Sequence, residues 1–95
     1  MSKREKVLHI VEELEATYSN LIAYAYKEIK PSGKTLWWVC IDDYAIYKSK
    51  EFEERVKTIR EKISFSIVFC YCAPIETELI RLAEENNLVL NIKNI

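Results

Sequence analysis

The only glycine of this chain, Gly33, stands in the segment Lys30-Pro31-Ser32-Gly33-Lys34, and that segment constrains the fold more than any other. Proline presets the second position of a tight turn, and glycine supplies the left-handed backbone that the turn needs further on. Beyond it, Thr35-Leu36-Trp37-Trp38-Val39-Cys40-Ile41 is rich in aromatic and β-branched residues. Before it, Ile22, Tyr24 and Tyr26 alternate with small residues. Two such runs around a turn predict a β-hairpin. A competing reading extends the first helix to Lys30, because Val7, Val11, Leu14, Tyr18, Leu21 and Ala25 also recur at helical spacing. The hairpin is the favoured one of the two.

The flanking segments are simpler. Ser2 and Glu5 form a capping box ahead of Val7, Ile10, Val11 and Leu14, predicting a helix over about Lys3–Ala16. The run Leu36 to Ile41 is apolar on both faces, as in a strand covered from both sides. Asp42-Asp43 breaks it as a turn, and Tyr44-Ala45-Ile46-Tyr47 reads as a short third strand. Ser49 caps a helix whose stripe is Phe52, Val56, Ile59 and Ile63. Phe65 to Cys72 is a strand, and Pro74 opens a helix with Ile75, Leu79, Leu82 and Ala83 as its buried stripe. Leu88 to Ile92 is the last strand, joined to the previous one by a parallel crossover. Residues 1–95 thus form a single mixed α/β domain of two or three layers, with an N-terminal helix, an antiparallel hairpin or meander, then helix, strand, helix, strand.

Composition narrows the functional classes. With one glycine and two prolines in 95 residues, nearly the whole chain belongs in regular elements. Net charge is −1 and the pI about 5.9, so the basic surplus of a dedicated nucleic-acid binder is missing. No apolar run suggests a membrane span or a signal peptide. Three cysteines without a secretion signal point to a reducing, cytoplasmic setting. The absence of glutamine and the abundance of Lys, Glu and Ile lean toward a thermophile.

Each chemically suggestive group has a plain structural reading beside it. Cys70 and Cys72 are two apart, so on a strand both thiols share a face, near a helix start that would lower a thiol pKa. That suggests a redox pair or half of a metal site, against simple packing of two small apolar side chains. Asp42 and Asp43 are the only aspartates, and with Lys48 they make a candidate polar site. Glu28-Ile29-Lys30 matches the Glu-x-Lys half of a metal-dependent nuclease site, but no aspartate lies upstream to share the ion. His9 is the sole histidine and reads as a solvated helix position. Tyr24, Tyr26, Trp37, Trp38, Tyr44 and Tyr47 cannot all face one core, so Tyr24, Tyr26, Trp37, Tyr44 and Tyr47 are a candidate interface for self-association. No motif calls for a cofactor or a bound metal.

The segments Phe65-Ser66-Ile67-Val68-Phe69, Ile75 to Asn87, and Leu88-Val89-Leu90-Asn91-Ile92 together resemble the C-terminal half of restriction-endonuclease-like domains of the PD-(D/E)xK superfamily. The resemblance spans residues 51–92 and is one of hydrophobic shape. It implies helix, three strands, helix, strand, helix, strand. In that register Ile46-Tyr47-Lys48 takes the place of the family's Glu-x-Lys, so Lys48 alone carries over and the catalytic motif is missing. The order of elements also looks like the minimal nucleotidyltransferase fold, again without its Gly-Ser turn or its paired aspartates. The expectation is a non-catalytic domain acting through protein–protein contact, as a homodimer. The alternatives are a degenerate nuclease-like domain that binds nucleic acid through Lys3, Arg4, Lys6, Lys48 and Lys50, and a thiol redox or metal-binding protein using Cys70 and Cys72.

Overall fold

In the computed structural model the described residues are 2–72, 74–86 and 89–91, with the backbone path alone for 74–77 and 89–91. Helix α1 (Lys3–Thr17) starts where expected: the Ser2 hydroxyl accepts the Glu5 N–H and donates to the Glu5 carboxylate. It stops at Tyr18, and Asn20 takes a left-handed φ of 57°, a conformation Asn tolerates, so the helix does not run on. The long-helix alternative therefore fails.

Strands β1 (Ile22–Ile29) and β2 (Thr35–Ile41) form the antiparallel hairpin, paired from Ile22↔Ile41 to Ile29↔Thr35 with an irregularity between Ile22 and Tyr24. Gly33 sits at φ 87° in the turn, closed by the Gly33 N–H donating to the Lys30 carbonyl.

The third strand expected at Tyr44–Tyr47 is instead a helical turn, α2 (Tyr44–Tyr47). The cause lies in the aspartates. The Asp42 N–H donates to the Leu21 carbonyl at 2.7 Å, and Asp43 then accepts the Ile46 N–H through its carboxylate. Asp43 is thus a helix cap rather than part of a hairpin turn. Ser49 caps the next helix, α3 (Lys50–Glu61), by accepting the Phe52 N–H.

Strand β3 (Ile67–Tyr71) pairs parallel with β2, α4 (Pro74–Glu85) follows, and β4 (Val89–Asn91) pairs antiparallel with β1. The sheet order is β3-β2-β1-β4. The expected crossover is present in direction, since β3 and β4 both run with β2, but its strands sit at opposite edges. A helix of this length extends roughly 18 Å, enough to cross three strand spacings of about 4.8 Å. Residues 88 and 92 of the expected last strand lie outside the described residues.

The registers divide the sheet into two faces. Ala25, Val39 and Phe69 share one row, and Lys27, Trp37 and Ile67 the next. This face meets Val7, Ile10, Val11 and Leu14 of α1 and Phe52 of α3 in the core. The other face carries the rows Tyr24–Cys40–Cys70 and Tyr26–Trp38–Val68. The crossovers β2 to β3 through α3 and β3 to β4 through α4 run in opposite directions along the sheet, and right-handed connections therefore put α4 on this face, opposite α3. The architecture is a mixed α/β sandwich of three layers.

One stripe departs from expectation. Leu79 and Leu82 were expected to be buried, yet they are 60% and 42% exposed. Ile80 and Ala83 are the half-buried positions of α4 instead, so the helix turns its leucines outward. The Ile75 side chain lies outside the described residues.

Candidate functional site

Three surfaces compete as sites. The first is the sheet face under α4. Parallel pairing places Cys40 opposite Cys70, with their Sγ atoms 3.6 Å apart. Cys72 lies just past β3, buried, its N–H bonded to the Ile41 carbonyl. No disulfide joins Cys40, Cys70 and Cys72. The hydrogen bond from Cys70, then burial, then the charges of Cys70 and Cys72 push the Cys40 thiol far above its usual range. Beside them Tyr26 stacks on Trp38 at 6.1 Å and 6°, and the Trp38 indole donates to Glu28 at 3.2 Å. Burial, followed by the charges of Cys40 and Cys70, raises the Tyr26 hydroxyl as well. While Cys70 keeps that hydrogen bond, Cys40 is a poor nucleophile toward an outside reagent. Among the described residues no group of three or more His, Cys, Asp or Glu side chains is arranged to hold a metal ion.

The partnership of Cys40 with Cys70 was not visible in the sequence, which paired Cys70 with Cys72. Thirty residues separate the two cysteines. Only the parallel register of β2 on β3 brings them together, and one residue of slip would have put them on opposite faces.

The second surface caps the ends of β2 and β3. Tyr44 packs edge-on against Tyr71 at 5.2 Å, and Lys48 Nζ lies 5.8 Å and 5.6 Å from the Tyr44 and Tyr47 ring centres. Of the candidate polar site, Asp43 is occupied with capping α2, Lys48 sits over these rings, and the Asp42 side chain is exposed. The aromatic set is therefore distributed. Tyr24 and Tyr26 lie under α4, Tyr44 and Tyr47 lie on α2, and Trp37 is in the core at 5% exposure. Lys3, proposed as a phosphate contact, lies 5.7 Å from the Phe65 ring centre.

The third surface was missed by sequence reasoning. Helices α1 and α3 lie side by side on the core face and leave a groove of about 730 Å³ between them. Its floor is Ile10, Leu14, Ile59 and Ile63, and its walls carry Lys6, His9, Glu13, Glu54, Arg55, Thr58 and Lys62. At one end Glu51 accepts the Tyr18 hydroxyl at 2.8 Å and pairs with Arg55. His9, an isolated residue in the sequence, is exposed on this groove's wall.

Opposite the groove, α4 presents the Leu79–Leu82 ridge. Arg81 beside it is clasped by Glu78 and Glu85. The Arg81 guanidinium holds the Glu78 carboxyl below its usual range.

No family model, curated protein or solved structure matches this chain. No described helix is long and apolar enough to cross a membrane.

Proposed function

We propose that this chain is a non-catalytic domain that works by self-association, with the α4 ridge of one copy seated in the α1–α3 groove of the next. The observation that carries this reading is that one chain presents both an apolar ridge and an apolar-floored groove, on opposite sides of its sheet. Exposed leucines three apart on a helix form one contiguous patch. The groove is bounded by Lys6–Leu14 and Glu51–Ile63, long enough to receive the Leu79–Leu82 ridge.

Charge favours this pairing over a twofold contact between two α4 helices. Glu78, Glu84 and Glu85 flank the ridge with Arg81 as the sole described basic residue of α4. Antiparallel packing of α4 on itself would set acid against acid. The groove walls are instead balanced, Lys6 and Lys62 standing beside Glu13 and Glu54 and Arg55 paired with Glu51, so an acidic helix meets less repulsion there than on another α4. With ridge and groove on opposite sides, two copies cannot seat reciprocally, and the contact runs head to tail. The homodimer of the sequence reading thereby becomes a chain or ring of copies.

The test is mass in solution as a function of concentration, up to about 100 µM, where weak but useful association is visible. The wild-type chain is expected to grow beyond a dimer. Leu79→Glu with Leu82→Glu removes the ridge, and Thr58→Trp fills the groove; each variant alone is expected to be monomeric. Mixed in equal amounts they retain one good ridge and one good groove, and a dimer is expected. A monomeric wild type overturns the proposal. So does a groove variant that associates normally, or a mixture that stays monomeric.

A further inference from the structure

The geometry points to Cys40 and Cys70 as an oxidisable pair that closes into a cross-strand disulfide when the chain meets a small-molecule disulfide. Their Sγ atoms are 3.6 Å apart on neighbouring parallel strands, in direct register. Neighbouring strands lie about 4.8 Å apart, inside the Cα separation of about 4.4–6.8 Å that a disulfide accepts. Closing the bond then needs a side-chain rotation and no movement of a strand. Cys70 and Cys72 are the sequence's candidate pair, but two residues along an extended chain are separated by roughly 6.6 Å, at the outer limit of that range.

Exposure assigns the order of events. Cys70 is partly exposed and Cys40 is 1% exposed. Cys70 loses its proton and its thiolate attacks one sulfur of the small disulfide, releasing the other half as a thiolate. Cys40 gives its proton to that thiolate and attacks the Cys70 sulfur, and the second small thiolate leaves and takes up the proton lost by Cys70. Two protein thiols and one small disulfide become one protein disulfide and two small thiols, the two electrons passing to the reagent.

The test is oxidation of the intact native chain with oxidised glutathione, followed by mass measurement and a non-reducing tryptic map. The expected product is a single chain lighter by two hydrogens, with no covalent link to another. Trypsin leaves Cys40 in residues 35–48 and both Cys70 and Cys72 in residues 63–81. A Cys40–Cys70 bond therefore joins two peptides, whereas a Cys70–Cys72 bond stays within one. Cys72→Ala is expected to form the joined pair as the wild type does, and Cys70→Ala to lose it. The proposal is overturned by a bond within 63–81, by loss of the joined pair in Cys72→Ala, by a product that stops at a glutathione adduct, by a disulfide between chains, or by no reaction in the folded state.

Discussion

Cys40 illustrates how a residue's chemistry is set by its neighbours across the sheet. Its thiol keeps its proton well above the ordinary range because it is hydrogen-bonded to Cys70 and buried. In the unfolded chain the same thiol titrates near pH 8.5. Above that pH the unfolded state releases a proton that the folded state retains, so stability is full below it and falls as pH rises. The unfolding free energy from urea titrations is expected to decline above about pH 8.5, by up to roughly 1.4 kcal/mol per pH unit for the one proton involved. Cys40→Ala should remove that share of the slope, and an unchanged slope would place its cause elsewhere. Trp37 makes a related point. It was counted with the surface aromatics, yet it is in the core, and its indole N–H finds no acceptor among the described residues. Adjacent tryptophans on a strand must face opposite ways, but nothing local says which of the two faces the core.

The elements were largely legible, and the exceptions have a common cause. Helix α1, the hairpin, α3, β3 and α4 follow from caps, turn residues and periodicity that act within a few residues. The misreading at Tyr44–Tyr47 turns on Asp43, since the same aspartate fits a turn or a helix cap and only the path of the chain away from β2 decides. The stripe of α4 is a failure of another kind. Its apolar spacing is sound, but which side meets the sheet depends on how β3 and β4 anchor its ends. The junction of α2 and α3 depends on one side chain: the Ser49 hydroxyl accepts the Phe52 N–H and donates to the Ile46 carbonyl at 2.7 Å. Loss of an N-cap costs about 1 kcal/mol, and a lost second bond adds about as much again. Ser49→Ala is therefore expected to lower stability by about 1–2 kcal/mol. For a domain of this size that lowers Tm by roughly 4–8 °C for each kcal/mol. Thermal unfolding checks it, with Ser49→Thr as the variant that keeps the hydroxyl and should lose far less.

At the scale of the whole molecule, association and stability are linked. A contact made only by folded copies stabilises the folded state by mass action, by about 2.7 kcal/mol when the free partner is at a hundred times its Kd. If the α4 ridge seats in a neighbour's groove, Tm of the wild-type chain should climb with protein concentration. The double variant Leu79→Glu, Leu82→Glu isolates the cause, because both leucines are exposed and their replacement removes little from the core of the single copy. Surface changes of this kind fall within about 0.5 kcal/mol. At high dilution the two proteins should therefore melt together, and as concentration rises only the wild type should gain. A Tm gap already present at dilution would mean the leucines serve the fold of one copy. Equal melting at every concentration would mean that the ridge has no folded partner in its own kind.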